Sequence, residues 1–435
     1  MSKKIAVIGG GYTGLSAAFD LCNAGFDVTV YERDPEVGGL AGTFEVAPGI
    51  KLERFYHHWF ASDRHILDWL KELGLGDNIQ FAPTNTGLFY ANSIFRLASP
   101  LDLLRFHPLP LIDRIRTGLM VLAARKINDW RTLEKISAEE WIIKYAGRKS
   151  YEVIWKPLLQ GKFGCEAPNI SAVWFWNKLK LRGSSRGKHG GEVLAYYKGS
   201  FGAATAAISA SLIKSGVKIH CSTPVDQILV DGGKVKGVRV NGVEERYDSV
   251  LATAPLPHFL NMTPSLPSDY HERYSKVRFL GNVCLVLVLN RSLSSTYWLN
   301  VADPSFPYVG IIEHTNFDDP SHYGGRHIAY LSKYLPTSEA QFKMNDEELF
   351  SYSLPYIQKL FPEFSAEWIE RYFVWRASYS QPVITKEYSS FIPDEITPID
   401  GLFLSTMSQV YPEDRGTSYA VRHGRSVARK IIERS

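Results

Sequence analysis

The chain has 435 residues, of which 45% are hydrophobic and 22% are charged, and this composition excludes a disordered or fibrous protein. Its net charge of +4 is too small to predict a nucleic-acid partner, and its length predicts two domains. The four cysteines are widely spaced without a Cys-x-x-Cys pair, which predicts no metal site or disulfide framework and fits a reducing cytoplasm.

The segment from Lys4 to Thr43 has the pattern of a strand–turn–helix–strand unit. The apolar run 5–8 predicts a buried parallel strand, and a turn containing Gly9, Gly11 and Gly14 follows it directly. No signal peptide is expected, because the chain enters this strand at once. The glycines match the dinucleotide-binding fingerprint: the first allows a tight turn, the second lets a pyrophosphate approach the backbone, and the third packs the helix against the strand.

The second strand of this unit ends at Glu32, whose carboxylate can accept hydrogen bonds from ribose hydroxyls and disfavours the phosphorylated ribose of NADP. The doublet Gly38-Gly39 and then Leu40-Ala41 extend the pattern. This extended pattern resembles the FAD-binding signature of the flavin amine-oxidase superfamily, which includes monoamine oxidases, protoporphyrinogen oxidases, phytoene desaturases and UDP-galactopyranose mutases. The resemblance implies FAD, held noncovalently because no cysteine lies near the C-terminal helix where some relatives attach the flavin.

The resemblance implies an α/β fold, in which a Rossmann-like FAD-binding domain of the glutathione-reductase type carries an inserted, mixed α+β substrate domain. The FAD-binding domain is expected to be discontinuous and to comprise residues 1–80, 196–257 and 396–435. The substrate domain is then expected over residues 81–195 and 258–395. In the family, the last strand, loop and helix complete the FAD site, and the N-terminus of that helix points at the pyrimidine edge of the flavin.

The resemblance also implies which residues contact FAD. They lie in the glycine-rich turn, after the second strand, at the return to the FAD-binding domain and near the C-terminal helix: Gly9, Gly11, Tyr12, Thr13, Gly14, Glu32, Arg33, Gly38, Gly39, Leu40, Ala41, Val225, Thr406, Arg415 and Tyr419. The chain departs from the family at the last strand, where Ser405-Thr406-Met407 replaces the usual Gly-Asp. Thr406 or Arg415 is therefore expected to supply the contacts of the missing acid.

Three residues are candidates for catalysis. His57 and His58 follow a predicted hairpin, in a segment that returns to the flavin in the resembling families, although a hydrogen-bonded core histidine is the alternative. Tyr379 lies in a segment resembling the strand and turn that pass close to the flavin. Amine oxidases proper keep a lysine just after a segment resembling 280–283, and its absence here disfavours amine oxidation.

A helix is predicted after Pro110, with Ile112, Ile115, Leu119 and Leu122 on one face and basic residues elsewhere. Membrane-associated members of the superfamily keep an interfacial helix at this place. Two interpretations stay open: peripheral contact with the inner face of the membrane, or packing of the helix on its own domain.

A basic segment from Lys178 to His189, interrupted by glycines and serines, is predicted to be a loop. Arg182 and Arg186 are candidates for binding an anionic group of a substrate, because guanidinium groups bind carboxylates and phosphates in a bidentate manner. The alternative is a solvated surface loop.

These observations predict an FAD-dependent oxidoreductase that removes hydride from a small-molecule substrate, apolar or cyclic, that can carry an anionic group. Two alternatives stay open. One is a redox-neutral sugar-nucleotide mutase similar to UDP-galactopyranose mutase, and the other is a non-catalytic binding protein similar to the GDP-dissociation inhibitors, which the intact glycine turn disfavours.

Overall fold

The computed structural model describes residues 2–97, 99–184, 192–303 and 305–435. The strands in chain order are β1 (Lys4–Ile8), β2 (Asp27–Tyr31), β3 (Thr43–Ala47), β4 (Ile50–Glu53), β5 (Trp59–Phe60), β6 (Ile79–Pro83), β7 (Thr86–Tyr90), β8 (Ser93–Arg96), β9 (Val193–Tyr197), β10 (Lys218–His220), β11 (Val225–Asp231), β12 (Lys234–Val240), β13 (Val243–Arg246), β14 (Ser249–Ala252), β15 (Phe279–Leu289), β16 (Trp298–Val301), β17 (Gly310–Glu313), β18 (His327–Leu335), β19 (Ile369–Pro382) and β20 (Leu402–Leu404).

The α-helices are numbered in the same way. They are α1 (Tyr12–Asn23), α2 (Arg64–Glu72), α3 (Pro100–Leu104), α4 (Leu111–Ala124), α5 (Ala138–Ala146), α6 (Arg148–Ser150), α7 (Lys156–Phe163), α8 (Ala172–Ser184), α9 (Ser200–Lys214), α10 (Leu256–Met262), α11 (Ser268–Tyr274), α12 (Ala340–Lys343), α13 (Asp346–Leu360) and α14 (Thr417–Arg434). No helix in these described ranges combines the length and apolarity that a membrane span requires.

A parallel sheet with the strand order β10-β2-β1-β14-β20 forms the dinucleotide-binding part of the molecule. Its central strands are apolar on both faces, as expected for a parallel sheet covered by helices. All five strands come from the blocks that the sequence assigns to the FAD-binding domain. The sheet and its helices confirm the α/β, Rossmann-like fold predicted from the N-terminal pattern.

Helices α1 and α14 cross in close contact, so the two ends of the chain complete one unit. A Cβ atom on Gly424 of α14 would lie 2.2 Å from both the Thr13 carbonyl oxygen and Ser16 Oγ of α1. The Ser16 hydroxyl also reaches the Val421 carbonyl oxygen, at 3.4 Å. Only a glycine at position 424 permits this spacing, which holds the N-termini of both helices in place.

A second, seven-stranded sheet has the order β19-β15-β18-β17-β16-β7-β8. The β16–β7 pair is parallel, and the neighbouring pairs in this sheet are antiparallel. A smaller sheet has the order β5-β9-β6, and its strands β6 and β9 cross the predicted boundaries at 80/81 and 195/196. The predicted domain limits stay a prediction.

The basic segment is helical where a loop was predicted. Helix α8 continues to Ser184, so the prediction of a loop is wrong for residues 178–184. The physical reason is burial: Val173, Trp174, Phe175 and Trp176 are all buried, and Leu179 continues the buried surface past the first lysine, so packing extends the helix. Residues 185–191 lie outside the described ranges.

A fully buried carboxylate, that of Glu53, joins three parts of the fold. It accepts hydrogen bonds from the Phe201 backbone N–H at 2.6 Å, at the start of α9, and from the Tyr196 hydroxyl at 2.8 and 2.9 Å. The Glu53 carbonyl oxygen accepts a third bond, from the Tyr330 hydroxyl of β18 at 2.9 Å. A helix N-terminus is a favourable place for this negative charge, which offsets part of the cost of burying it.

The buried position of Glu53 makes a prediction about stability and pH. Burial raises the pKa of Glu53 to about 7, against the opposing effect of the Phe201 N–H and the Tyr196 hydroxyl. Because the folded-state pKa is raised, the contribution of Glu53 is fully present below its unfolded pKa and is lost as the pH rises through about 7. Between pH ~5 and pH ~8 the parent should lose up to about 3 kcal/mol of unfolding free energy that Glu53→Gln does not lose.

Urea unfolding at several pH values, compared between parent and variant, measures this difference. The control is Glu45→Gln, which changes an exposed carboxylate in the same hairpin and should keep the parent's pH profile. Parallel profiles for the parent and Glu53→Gln would contradict the prediction.

Candidate active site

The glycine-rich turn between β1 and α1 leaves an open space at the helix N-terminus. Gly9 has a φ of +110°, and a Cβ atom on Gly14 would lie 2.0 Å from the Gly9 carbonyl oxygen. Gly11 precedes the helix without a capping side chain, and a Cβ atom there would meet no protein atom within 4 Å. The backbone N–H groups at the start of α1 therefore face a space that a phosphate group can enter.

Glu32 lies beside this turn with both carboxylate oxygens engaged. It accepts hydrogen bonds from the backbone N–H groups of Gly10 at 2.7 Å and Asp34 at 2.9 Å. Burial raises the pKa of Glu32, and these two N–H groups oppose the rise. Each oxygen has a further lone pair, so the carboxylate can also accept a ribose hydroxyl.

The glycine doublet connects the turn with a large pocket. The Gly38 N–H donates to the Gly10 carbonyl oxygen at 2.8 Å, and a Cβ atom on Gly39, whose φ is +59°, would lie 3.4 Å from Gly11 Cα. The next residue, Leu40, lines the pocket. The doublet therefore packs against the turn and is followed directly by a residue of the pocket wall.

Segments that lie far apart in the chain line the pocket. They include the turn at Leu40, the segment before β5, helices α7 and α8 with the turn before α7, the seven-stranded sheet, and the loop and first turn of α14: Leu40, Tyr56, His57, His58, Trp155, Leu158, Leu159, Lys162, Trp174, Phe175, Lys178, Asn282, Trp298, Val309, Tyr334, Asp414, Arg415 and Tyr419. Most of this wall is apolar, with charged groups concentrated where α7 and α8 meet the loop at 414–415.

The N-terminus of α14 opens into the pocket. Gly416 precedes the helix without a capping side chain, and a Cβ atom there would meet no atom within 4 Å. Trp59 Nε1 donates to Thr417 Oγ1 at 2.8 Å and anchors this first turn. The free N–H groups and the helix dipole favour a negative charge at this place.

Both predicted histidines line the pocket. His57 Nδ1 lies 2.6 Å from the Phe55 carbonyl oxygen, and His58 Nδ1 lies 2.9 Å from the Tyr297 hydroxyl. A carbonyl oxygen only accepts, so Nδ1 of His57 carries the proton and Nε2 is an acceptor. Burial lowers the pKa of His57 to about 4, and the ring is neutral at pH 7.

Asp414 is the centre of a charged cluster in the pocket wall. Its carboxylate lies 2.5 Å from Lys178 Nζ, 3.7 Å from Lys162 Nζ and 3.2 Å from Gln381 Nε2. Burial alone would raise the pKa of Asp414, but the ammonium groups of Lys178 and Lys162 hold it well below its usual range. The neighbouring Arg415 donates to Gln381 Oε1 and, at 2.8 Å, to the Tyr334 hydroxyl.

Tyr379, Val225, Arg33 and Thr406 lie neither in the glycine-rich turn and doublet nor in the pocket lining. The Tyr379 ring packs against His258 and Phe279, whereas its neighbour Ser380 lines the pocket. Val225 begins β11, and the Arg33 side chain is exposed. The Thr406 hydroxyl caps the short turn that follows β20 by accepting from the Ser408 N–H.

The remaining predicted residues have distinct positions. The Tyr12 hydroxyl lies 3.1 Å from Thr205 Oγ1 in the core, so the backbone N–H of Tyr12 is the group available to a ligand. Thr13 lies in the first turn of α1, and Ala41 lies in the short turn formed by the glycine doublet. Arg182 lies on α8, with its side chain outside the described part of the chain. Arg186 lies outside it altogether.

Sequence reasoning missed the two lysines and Asp414 as pocket residues. A signal was present for one of them: Trp174 and Lys178 are four residues apart and therefore share a face of α8. Lys162 and Asp414 carried no comparable signal, because only the tertiary structure brings them together. Within the described ranges, no group of three His, Cys, Asp or Glu side chains is placed to hold a metal ion.

The model of flavin containing amine oxidoreductases matches residues 12–432 of the chain. The chain belongs to this family. As a flavin amine oxidoreductase it is an FAD-dependent oxidoreductase, and FAD is its cofactor. The open glycine turn, the carboxylate of Glu32 and the uncapped N-terminus of α14 fit this cofactor, since they offer groups for a pyrophosphate, a ribose and a flavin edge.

Curated relatives of this flavin oxidoreductase include desaturases and a porphyrinogen oxidase. It is 22% identical to a zeta-carotene desaturase of Synechocystis, over 99% of this chain and 97% of that protein. The zeta-carotene desaturase of Zea mays is also 22% identical, over 92% of this chain and 78% of its own length. A coproporphyrinogen III oxidase of Staphylococcus aureus is 25% identical, over 62% of this chain and 64% of that protein.

Solved structures share the fold. An Exiguobacterium protein assigned as a protoporphyrinogen oxidase has a TM-score of 0.79 at 16% identity, with both chains covered completely. A reduced UDP-galactopyranose mutase has a TM-score of 0.76 at 15% identity, covering 100% of this chain and 96% of that one. At these identities the likeness concerns the fold alone.

The space at Gly11 predicts a variant that separates cofactor binding from folding. Gly11→Ala places its Cβ where the protein has no atom within 4 Å, at a φ of −75° that alanine adopts readily. The apoprotein should therefore unfold at the parent's temperature, whereas the methyl group occupies space that the cofactor needs. We expect the Kd for FAD to rise at least about tenfold, measured by titration of the apoprotein.

Gly118→Ala is the matched control, because Gly118 lies in α4, where its Cβ would meet Leu103 at 3.9 Å. It should leave the FAD affinity unchanged and should not lower the unfolding temperature, because alanine is favoured over glycine inside a helix. Gly11→Ala with the parent's FAD affinity would show that the pyrophosphate does not lie at this turn.

Proposed function

We propose that the protein removes a hydride and a proton from an apolar or cyclic small molecule bound in this pocket. The observation that carries the proposal is that the doublet packed on the dinucleotide turn leads directly, at Leu40, to a wall of aromatic and aliphatic side chains. When bound, FAD supplies the hydride acceptor, and oxygen or a quinone then takes up the two electrons.

The apolar wall supports this substrate class. Helices α7 and α8 contribute Leu158, Leu159 and Phe175, and Trp298 and Val309 come from the side of the seven-stranded sheet. Such a wall binds a hydrocarbon or a ring by burying its apolar surface, and it excludes water from the reacting carbon.

The histidines suit a role in orienting the substrate. Nε2 of His57 is an acceptor on a neutral ring, so it can hold an N–H or O–H group of the substrate or receive its proton transiently. Tyr297 fixes the ring of His58 on the same side. The N-terminus of α14 favours negative charge in the pocket at the moment when the substrate gives up hydride.

The proposal predicts which compounds reduce the flavin. In an anaerobic titration of the FAD-loaded protein, phytoene, zeta-carotene or coproporphyrinogen III should bleach the flavin absorption band, because the pocket accepts an apolar or cyclic body. Putrescine, a compact dication, should leave the band unchanged, because the apolar wall does not solvate its charges and the cations Lys162, Lys178 and Arg415 repel it. Bleaching by putrescine and by none of the others would contradict the proposal.

The same experiment tests the alternative of a sugar-nucleotide mutase. Redox-neutral chemistry would require prior reduction by dithionite and would interconvert a sugar nucleotide with no net change in the flavin spectrum. Turnover restricted to the reduced protein would therefore favour the mutase.

We also propose that the protein contacts an anionic membrane surface through α3 and α4. Helix α4 has an inverted pattern: Asp113 and Thr117 are buried, and apolar side chains point outward. The exposed apolar side chains on the two helices are each between 43% and 63% exposed, namely Leu101, Leu104, Leu111, Ile112, Ile115, Leu119 and Leu122. Exposed Arg105, Arg125 and Lys126 border them, a combination that suits a lipid surface with negative headgroups.

This proposal predicts a loss of vesicle binding in the double variant Ile115→Glu, Leu119→Glu. It places two charges in the exposed apolar face, where they repel anionic headgroups and cannot enter the acyl boundary. Co-sedimentation with phosphatidylglycerol vesicles should fall at least about tenfold relative to the parent. Ile213→Glu is the control, because Ile213 is 57% exposed but lies on α9. Equal sedimentation of parent and double variant would contradict the proposal.

A further inference from the structure

Two helices each present a tryptophan and a lysine to the pocket. Trp155 lies in the turn before α7, and Lys162 lies two turns further along, on the same helical face. Leu158 and Leu159 lie between them and also line the pocket. On α8, Trp174 and Lys178 are one turn apart. The two faces meet, because the ammonium groups of Lys162 and Lys178 lie 5.2 and 5.6 Å from the centre of the Trp174 ring.

Positive charge is concentrated at this end of the pocket. Lys162, Lys178 and Arg415 surround the carboxylate of Asp414, which is 5% exposed. A second acid of the lining, Asp63, lies near Lys178, and burial raises the pKa of Asp63 to about 6. Three cations therefore face two acids at this end, and the third acid of the lining, Glu192, is hydrogen-bonded to the hydroxyls of Thr84 and Thr86. A surplus of partly buried positive charge favours a bound anion.

Two buried donors in the same wall are unsatisfied. Nε1 of Trp174, a residue that is 8% exposed, has no hydrogen-bond partner among the described residues, and the same holds for Nε1 of Trp155. Buried N–H groups in proteins almost always have an acceptor, and an oxygen of a ligand bound in this pocket is one group that would supply it. An indole N–H can only donate, so the missing atom is an acceptor.

We propose that this end of the pocket, formed by Trp155, Lys162, Trp174 and Lys178, binds a carboxylate or phosphate group of the substrate. The two ammonium groups supply the counter-charge, and the two indole N–H groups supply additional donors to the oxygens of the anion. The apolar wall then holds the body of the molecule. The inference rests on the proposed function in one respect, since it takes this pocket to be the place where the substrate binds.

Both lysines also form ion pairs with Asp414, but these ion pairs alone do not explain the position of Lys162. Lys178 at 2.5 Å and Gln381 at 3.2 Å already hold the carboxylate, whereas Lys162 is farther away, at 3.7 Å. Lys162 instead extends over the rings of Trp174 and Tyr334 into the pocket. It is therefore the residue whose replacement tests the anion site with the least disturbance of the loop before α14.

The experiment measures binding by calorimetry with the FAD-loaded protein and three probes that share one apolar body: naphthalene carboxylate, naphthyl phosphate and naphthyl methanol. At least one anionic probe should bind about tenfold more tightly than the alcohol. The stronger of the two anions tells which oxyanion the site takes. Lys162→Met should abolish most of this preference, and Lys162→Arg should retain it.

Two further variants separate charge at the site from charge in general. Lys180→Met removes a lysine from the same helix as Lys178, but Lys180 lies over Trp176 and not in the pocket lining, so the preference should stay at the parent's value. Trp174→Phe keeps an aromatic ring and removes the N–H, and it should weaken the anionic probe severalfold without affecting the alcohol. This variant keeps the test decisive if Lys162→Met fails to fold.

Three results would overturn the inference: no binding of either anion, equal affinity for the alcohol, or equal losses in Lys162→Met and Lys180→Met. Binding requires no turnover, so the result is independent of the bleaching experiment. A protein that prefers the anions but is reduced by none of the candidate substrates would refute the proposed function and leave the anion site intact.

Discussion

The carboxylate of Glu53 lies fully buried where three distant parts of the chain meet. The carboxylate accepts from the Phe201 N–H in the first turn of α9 and from the Tyr196 hydroxyl of β9, and the backbone carbonyl oxygen of Glu53, at the end of β4, accepts from the Tyr330 hydroxyl of β18. A buried carboxylate is tolerated only when its acceptors are satisfied, so these contacts must form together. They join the unit around the parallel sheet to the seven-stranded sheet, and the pocket lies between the elements that they hold.

The pocket depends on this junction because no single part of the chain builds it. The segment just after Glu53 carries His57 and His58, and the N-terminus of α14 is held by Trp59 of the same segment through Thr417. Opposite them lie the lysines of α7 and α8, bound to Asp414 in the loop before α14. One wall is thus held by hydrogen bonds, and the other is joined to it by ion pairs to the buried carboxylate of Asp414.

The helical region connects the pocket with the outer surface. Phe106 and Leu109, between α3 and α4, pack in one cluster with Val153 and Ile154, next to the pocket residue Trp155. The apolar face of α4 points away from this cluster, because Asp113 and Thr117 occupy its inner side. A substrate that is apolar at one end and anionic at the other would suit both the exterior face and the interior of the pocket.

The sequence by itself determined the dinucleotide turn, Glu32, the glycine doublet and the family, because these features depend on spacing within a few dozen residues. It also determined that α4 has an apolar face, since a helical period is local. Only the tertiary structure decided that this face points outward, that α8 extends beyond Lys178, and that Tyr379 lies outside the pocket lining. Only the tertiary structure, likewise, decided the contacts of Glu53 and the cluster of Lys162, Lys178 and Asp414. They join groups far apart in the chain, and local propensity carries no information about which distant side chains the packed core brings within hydrogen-bond distance.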